Sequence, residues 1–173
     1  MKFWGDRIYL KQLLPEDVSN KYIEWMNNEE IIQFLESRWK SYSLEDLKEY
    51  VRIMNKKNDN CIFGIFLKNN NEHIGNIKIG NINQIHRHAE IGLIIGDKNI
   101  WGKGYGTESI NLATKYAFEE INLNKLFAGI YSNNIASYKA FLKAGYREVG
   151  ILKKHRFYKG NFIDEILVEK CNL

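Results

Sequence analysis

At 173 residues, 45% of them hydrophobic, the chain is long enough for a single core; a domain of this size buries about 70% of its unfolded surface. Its formal charge of +4 is of mixed sign and too scattered to point to DNA or RNA, although it suits small anions. Cys61 and Cys171 have the spacing of neither a disulfide framework nor a metal site, and no apolar segment approaches membrane-spanning length. The expectation is one domain over residues 1–173, soluble and cytoplasmic, without a nucleic-acid or membrane partner.

Asp6 to Gln12 alternates imperfectly and reads as a strand, after which Pro15, Glu16 and Asp17 open a helix carrying Val18, Tyr22, Trp25 and Met26 on one face. A short apolar piece, Ile31 to Leu35, leads to Arg38-Trp39-Lys40. Ser43 with Asp46 then forms a capping-box pattern for a second helix, whose buried face is Leu44, Leu47, Val51 and Met54. Beyond a polar break the pattern changes to period two or continuous apolar runs: Cys61 to Leu67 and His73 to Ile82 form a hairpin around Lys68 to Asn71.

The run from Ala89 to Ile95 is the next strand. Ile110, Ala113, Ala117, Phe118 and Ile121 mark a helix from about Thr107, and Lys125 to Tyr131 a strand, so this unit is a right-handed crossover joining parallel strands. Ser132 to Asn134 supplies the cap of a helix stopped by Gly145. Two strands, Arg147 to Lys154 and Phe162 to Lys170, close the chain. The fold class is α+β: a mixed, mostly antiparallel sheet with helices on both faces.

Between the strand at Glu90 to Ile95 and the helix at Thr107 stands Trp101-Gly102-Lys103-Gly104-Tyr105-Gly106. A glycine turn leading into a helix start presents open N–H groups and the positive end of the helix dipole, which suits a phosphate or pyrophosphate. The spacing fits neither a P-loop, which needs Lys followed by Ser or Thr after its last Gly, nor the Gly-x-Gly-x-x-Gly dinucleotide fingerprint.

With these residues in place, the sequence resembles the GNAT superfamily of acetyl-CoA-dependent N-acetyltransferases. Gly104 and Gly106 match the superfamily's acyl-CoA loop, with Trp101 where Gln or Arg is usual; Asn134, Ser137 and Gly145-Tyr146 match its second motif. Trp-Gly-Lys-Gly-Tyr-Gly-Thr-Glu looks like the branch with ribosomal-protein alanine, spermidine and nucleotide-aminosugar acetyltransferases. The resemblance implies acetyl-CoA as donor, with its pyrophosphate over Gly102 to Thr107. It also implies a splayed parallel strand pair with pantetheine in the gap, near the backbone of Ile94 and Ile95, and Asn134 as a further cofactor contact.

Acetyl transfer to an amine needs a base, donors for the oxyanion and an acid for the thiolate. Glu90, inside an apolar run and at a position that matches the superfamily's catalytic glutamate, is the candidate base; a water chain is the alternative. Many family members carry Tyr seven residues after the motif asparagine, where this chain has Phe141. Ser137 and Tyr138 are therefore the candidate acids.

His86 and His88 have no third metal ligand at recognisable spacing, so no metal is expected, and they join Arg38 as candidate contacts to substrate phosphate. Trp25, Asn27 and Tyr158 fall where the resemblance places the amine acceptor. The acceptor expected is a nucleotide-linked amino-deoxysugar, with a protein amino terminus or a polyamine as the alternative and a catalytically silent CoA-binding module as a third reading. The sequence leaves the oligomeric state open, a homodimer included.

Overall fold

The computed structural model describes residues 2–172. An eight-stranded sheet runs in the order β1-β2-β3-β4-β5-β6-β8-β7. Its strands are β1 (Lys2–Trp4), β2 (Ile8–Gln12), β3 (Cys61–Leu67), β4 (His73–Asn83), β5 (His88–Ile95), β6 (Lys125–Tyr131), β7 (Arg147–Tyr158) and β8 (Asn161–Cys171). Neighbouring strands are antiparallel except β5 and β6, which the crossover through a helix makes parallel.

Five α-helices cover the sheet: α1 (Asn20–Met26), α2 (Glu29–Ile32), α3 (Leu44–Lys56), α4 (Tyr105–Glu119) and α5 (Ile135–Lys143). Strand alternation divides the core in two. On one face Ile8, Leu10, Ile77 and Ile91 pack with Ile110 and Ala113 of α4 and Phe141 of α5. On the other, Leu13 and Ile62 pack with Tyr22, Trp25 and Met26 of α1 and Leu47 and Val51 of α3. Among the described residues no helix is long and apolar enough to cross a membrane.

Local signals account for most boundaries. Ser43 caps α3 in a closed box with Asp46, and Asn134 caps α5 through its side chain to Ser137 N. The helix expected from Pro15 is split: Pro15–Asp17 forms a single 3-10 turn, Val18 is extended, and Ser19 caps a new start at Asn20. Helix α4 begins at Tyr105 rather than Thr107, so that Gly106 lies inside its first turn. The expected strand from Arg147 extends to Tyr158 through two register shifts, with Lys154 at φ 51°.

Between α2 and α3 the chain crosses the open half of the sheet as a strap, tightened by a 3-10 turn at Glu36–Trp39. It is tied to the far hairpin by Tyr158, whose hydroxyl donates to Gln33 Oε1 at 2.6 Å and whose ring stacks on Phe34 at 5.4 Å.

Candidate active site

The two parallel strands pair only at His88↔Lys125, Ala89↔Leu126 and Glu90↔Phe127. Beyond these pairs they diverge, because β5 stays on β4 as far as Gly75↔Ile95 while β6 stays on β8 as far as Tyr131↔Glu165. The inner backbone edges of residues 91–95 and 128–131 are left without a strand partner, and such groups call for something to bond. A cleft of about 490 Å³ opens there. Residues 91–95 and 128–131 form its walls, α5 one flank and residues of the strap the other, and the loop from Ile100 to Thr107 its far end.

Positive φ explains two of the loop's three glycines: Gly102 has φ 75° and Gly104 φ 86°, both in the region that side chains disfavour. Gly104 caps α4 without a side-chain hydrogen bond, so the amides of the first turn face the cleft end. Gly106 has ordinary φ; its hydrogen faces the cleft, where an added Cβ would meet only Leu93 Cδ1 at 3.7 Å.

Arg7 fixes this loop from outside the cleft, donating from Nη1 to Lys103 O at 2.8 Å and from Nε to Glu108 Oε2 at 2.9 Å, with its guanidinium 4.5 Å from the Tyr105 ring centroid. Trp101, standing where the resemblance expected Gln or Arg, donates from Nε1 to Ile95 O at 2.8 Å and ties the loop to the end of β5. Lys103 is the one loop residue that does not line the cleft; its carbonyl serves the Arg7 contact instead.

Asn134 at the cap of α5 and Ser137 and Phe141 on it line the cleft. Tyr138 does not: its hydroxyl donates to Glu148 Oε2 at 2.7 Å on the far side of the helix, a bond that pushes the phenol pKa up. Of the two hydroxyls expected to serve as acid, the cleft receives that of Ser137. Lys139 and Lys143, one turn apart and not singled out in the sequence, add positive charge to the same wall.

Glu90 is not enclosed by its apolar run. Alternation sends Ala89 and Ile91 into the core beneath α4 and leaves Glu90 and Gly92 on the opposite, open face. Its carboxylate is half-buried and accepts from Asn81 Nδ2 at 3.2 Å, and it has no cation partner among the described residues. Arg87 turns away to Asn122, at 2.7 and 2.8 Å.

The same open face continues across β6 and β8 as Phe127, Gly129 and Tyr131 beside Glu165 and Glu169. Here the strap brings Arg38, which donates to Leu35 O, to the Tyr131 hydroxyl and to Phe157 O at 2.7 to 2.8 Å. Its guanidinium also lies 4.2 Å from the ring centroid of Trp39, which is exposed. Arg38 and Tyr158 therefore stand beside the strap with Nη1 and Nη2 of the one and the hydroxyl of the other already bonded.

The remaining expected contacts lie elsewhere. Trp25 is 4% exposed, its indole pressed on Gly96, and it lines a separate hollow at the α1–α2 corner. Asn27 is held on both amide atoms by the backbone of Tyr42, at 2.8 and 2.9 Å. His86 and His88, with parallel rings 6.1 Å apart, sit at the paired root of β5 rather than at the loop end, and neither lines the cleft.

The acetyltransferase (GNAT) domain family matches residues 7–147 of this chain. A probable N-acetyltransferase YjcK of Bacillus subtilis (strain 168) is 31% identical, the match covering 97% of this chain and 96% of the relative. The spermidine N(1)-acetyltransferase of Vibrio cholerae is 29% identical, over 83% of this chain and 82% of its own. A crystal structure of the V. cholerae spermidine N-acetyltransferase, in complex with CoA and spermine, superposes with a TM-score of 0.86 at 25% identity, covering 96% of both chains. The ribosomal-protein-S5-alanine acetyltransferase of Vibrio fischeri shares the fold, with a TM-score of 0.86 at 22% identity and coverage of 99% and 97%.

Proposed function

The chain belongs to the GNAT family of acetyl-CoA-dependent N-acetyltransferases, and from that premise we propose that its acceptor is a primary amine carried on an anionic molecule, a nucleotide-linked amino-deoxysugar. Acetyl-CoA is the donor. In this reading its pyrophosphate lies on the amides of Gly104 to Thr107, and pantetheine occupies the wedge between β5 and β6. The amine arrives over the open face beside Glu90, which takes its proton, and attacks the thioester carbonyl directly in a ternary complex held by a single domain.

The observation that carries the acceptor reading is charge balance. The carboxylates beside Tyr131, Glu36 and Glu165, are each bonded to Arg156, and Arg38 stands 3.9 Å from Glu36. A polycation therefore meets little uncompensated negative charge there. Exposed Trp39 offers a nucleobase a stacking face. Because Arg38 is bonded within the protein, phosphate recognition falls to other cations: Lys159, 5.3 Å from the ring centroid of Tyr158, and Lys40, next to Trp39 in the chain and 4.8 Å from that of Tyr42. The polyamine named for the V. cholerae relative is the competing acceptor; Glu90, without a cation of its own, is what favours it.

The experiment is a panel of amines assayed by release of free CoA thiol: UDP-, GDP- and dTDP-linked 3- or 4-amino-deoxysugars, spermidine, and a peptide with a free alanine amino terminus. Turnover of an aminosugar nucleotide, declining as salt rises, supports the reading. Efficient turnover of spermidine or of the peptide, with none of any sugar nucleotide, contradicts it.

A further inference from the structure

Tyr131 is 4% exposed, lines the cleft, and ends β6 beside the strap. Its phenol oxygen accepts from Arg38 Nη1 and donates to Glu36 Oε1, each at 2.7 Å. Two guanidiniums flank the ring, that of Arg38 5.2 Å from its centroid and that of Arg156 at 5.4 Å. Glu36 Oε1 also accepts from Arg156 Nη1 at 2.8 Å, and Arg156 Nη2 donates to buried Glu165. A solvent-facing carboxylate thus connects the phenol to water, since Glu36 is 63% exposed on its side chain.

We propose that Tyr131 is the acid that protonates the departing CoA thiolate, an assignment that rests on the cleft being the acetyl-CoA site. The other hydroxyls are less suited. Tyr138 is bonded to Glu148 outside the cleft, Phe141 has none, and Tyr105 and Thr107 belong to the glycine loop at the pyrophosphate end. The Ser137 hydroxyl has no hydrogen-bond partner among the described residues to stabilise its alkoxide, whereas a Tyr131 phenolate keeps the Arg38 bond and two nearby positive charges. Burial, and after it the bond to Glu36, hold the Tyr131 pKa above its usual value, so that the proton is present at neutral pH.

In the step proposed, the amine nitrogen bonds to the thioester carbon, and the tetrahedral intermediate collapses with its electron pair going to sulfur. Sulfur takes the Tyr131 proton as the C–S bond breaks. The phenolate recovers a proton from water through Glu36, while the two protons lost by the attacking ammonium leave through Glu90. The products are the amide, CoA thiol and one net proton.

The test compares wild type with Tyr131→Phe and Ser137→Ala, using hydroxylamine as a small surrogate amine so that the result does not depend on the identity of the acceptor. Each is assayed with acetyl-CoA and with acetyl-seleno-CoA, whose selenol is a stronger acid than the thiol and leaves without needing a proton. Tyr131→Phe is expected to lose about 10²-fold or more in turnover with the thioester, with thermal stabilisation by acetyl-CoA unchanged, and to lose only a few-fold with the selenoester.

Equal deficits with both donors, no deficit, or a selenium-sensitive deficit in Ser137→Ala alone would overturn the proposal. Should Tyr131→Phe fail to fold, 3-fluorotyrosine at the position is expected to move the alkaline limb of the thioester profile to lower pH, and an unmoved limb counts against it. If acetyl-CoA does not stabilise even the wild type, the cleft assignment itself fails and takes this one with it.

Discussion

Glu165 of β8 lays its carboxylate across Gly129 of β6, so close that a Cβ at position 129 would collide with Oε1. The missing side chain is what lets a buried carboxylate lie against the cleft wall and hold Arg156, which in turn holds Glu36 on the strap. Gly129→Ala is expected to displace Glu165 and lower stability by about 1–3 kcal/mol. It should also raise the KM of the acceptor more than that of acetyl-CoA, because the strap borders the face proposed for the acceptor. Urea unfolding with steady-state kinetics in both substrates checks this; a variant of wild-type stability and unchanged acceptor KM contradicts it.

Glu90→Gln keeps the size of the side chain and its bond to Asn81 while removing proton acceptance. A general base contributes about 10²- to 10⁴-fold, so turnover near neutral pH is expected to fall by at least the smaller factor. Binding of acetyl-CoA should not change, since Glu90 lies outside the cleft lining. Unchanged kinetics would assign the base to water.

His73 packs between the rings of Phe66, at 4.8 Å, and Trp25, at 5.0 Å, and its Nε2 meets Asn76 Oδ1 at 2.9 Å. Burial disfavours the imidazolium and lowers its pKa below the usual 6.5. The unfolded chain therefore binds the proton more readily, and stability is lost as pH falls from about 6.5 towards the lower folded value. His73→Phe is expected to be less stable at pH 8, because Asn76 loses a partner, yet to lose less on going to pH 5 than wild type does. Parallel losses over that range would show that His73 does not set the slope.

Much of the fold was legible because its signals are local. Cys61–Leu67 and Lys125–Tyr131 have the expected bounds, and Ser43 with Asp46 forms the expected capping box. The short edge strand Lys2–Trp4 was missed, since three residues carry no period. The glycine loop was legible for the same reason as the caps: the left-handed backbone at Gly102 and Gly104, with φ 75° and 86°, favours glycine through a local steric preference.

What could not be read is what distant residues do to each other. Arg7 reaches Glu108 across 101 positions and Arg156 reaches Glu36 across 120, and neither pair has a spacing to recognise. Glu90 was expected to be desolvated by its sequence neighbours, but strand alternation puts those neighbours on the other face. Tyr138 shares α5 with Ser137, but the bond to Glu148 on β7 draws its hydroxyl away from the cleft.

The most direct test of the account is the binding of acetyl-CoA to Gly106→Asp. Position 106 has ordinary φ and room for a Cβ, and a carboxylate in the first turn of α4 favours the helix dipole, so the free variant is expected to be at least as stable as wild type. The same carboxylate would sit where the pyrophosphate is assigned. With acetyl-CoA at about 100 times its wild-type Kd, wild type should gain about 2.7 kcal/mol of stability and Gly106→Asp almost none. If Gly106→Asp folds and is stabilised by acetyl-CoA as fully as wild type, the glycine loop and the splayed strands are not the acetyl-CoA site.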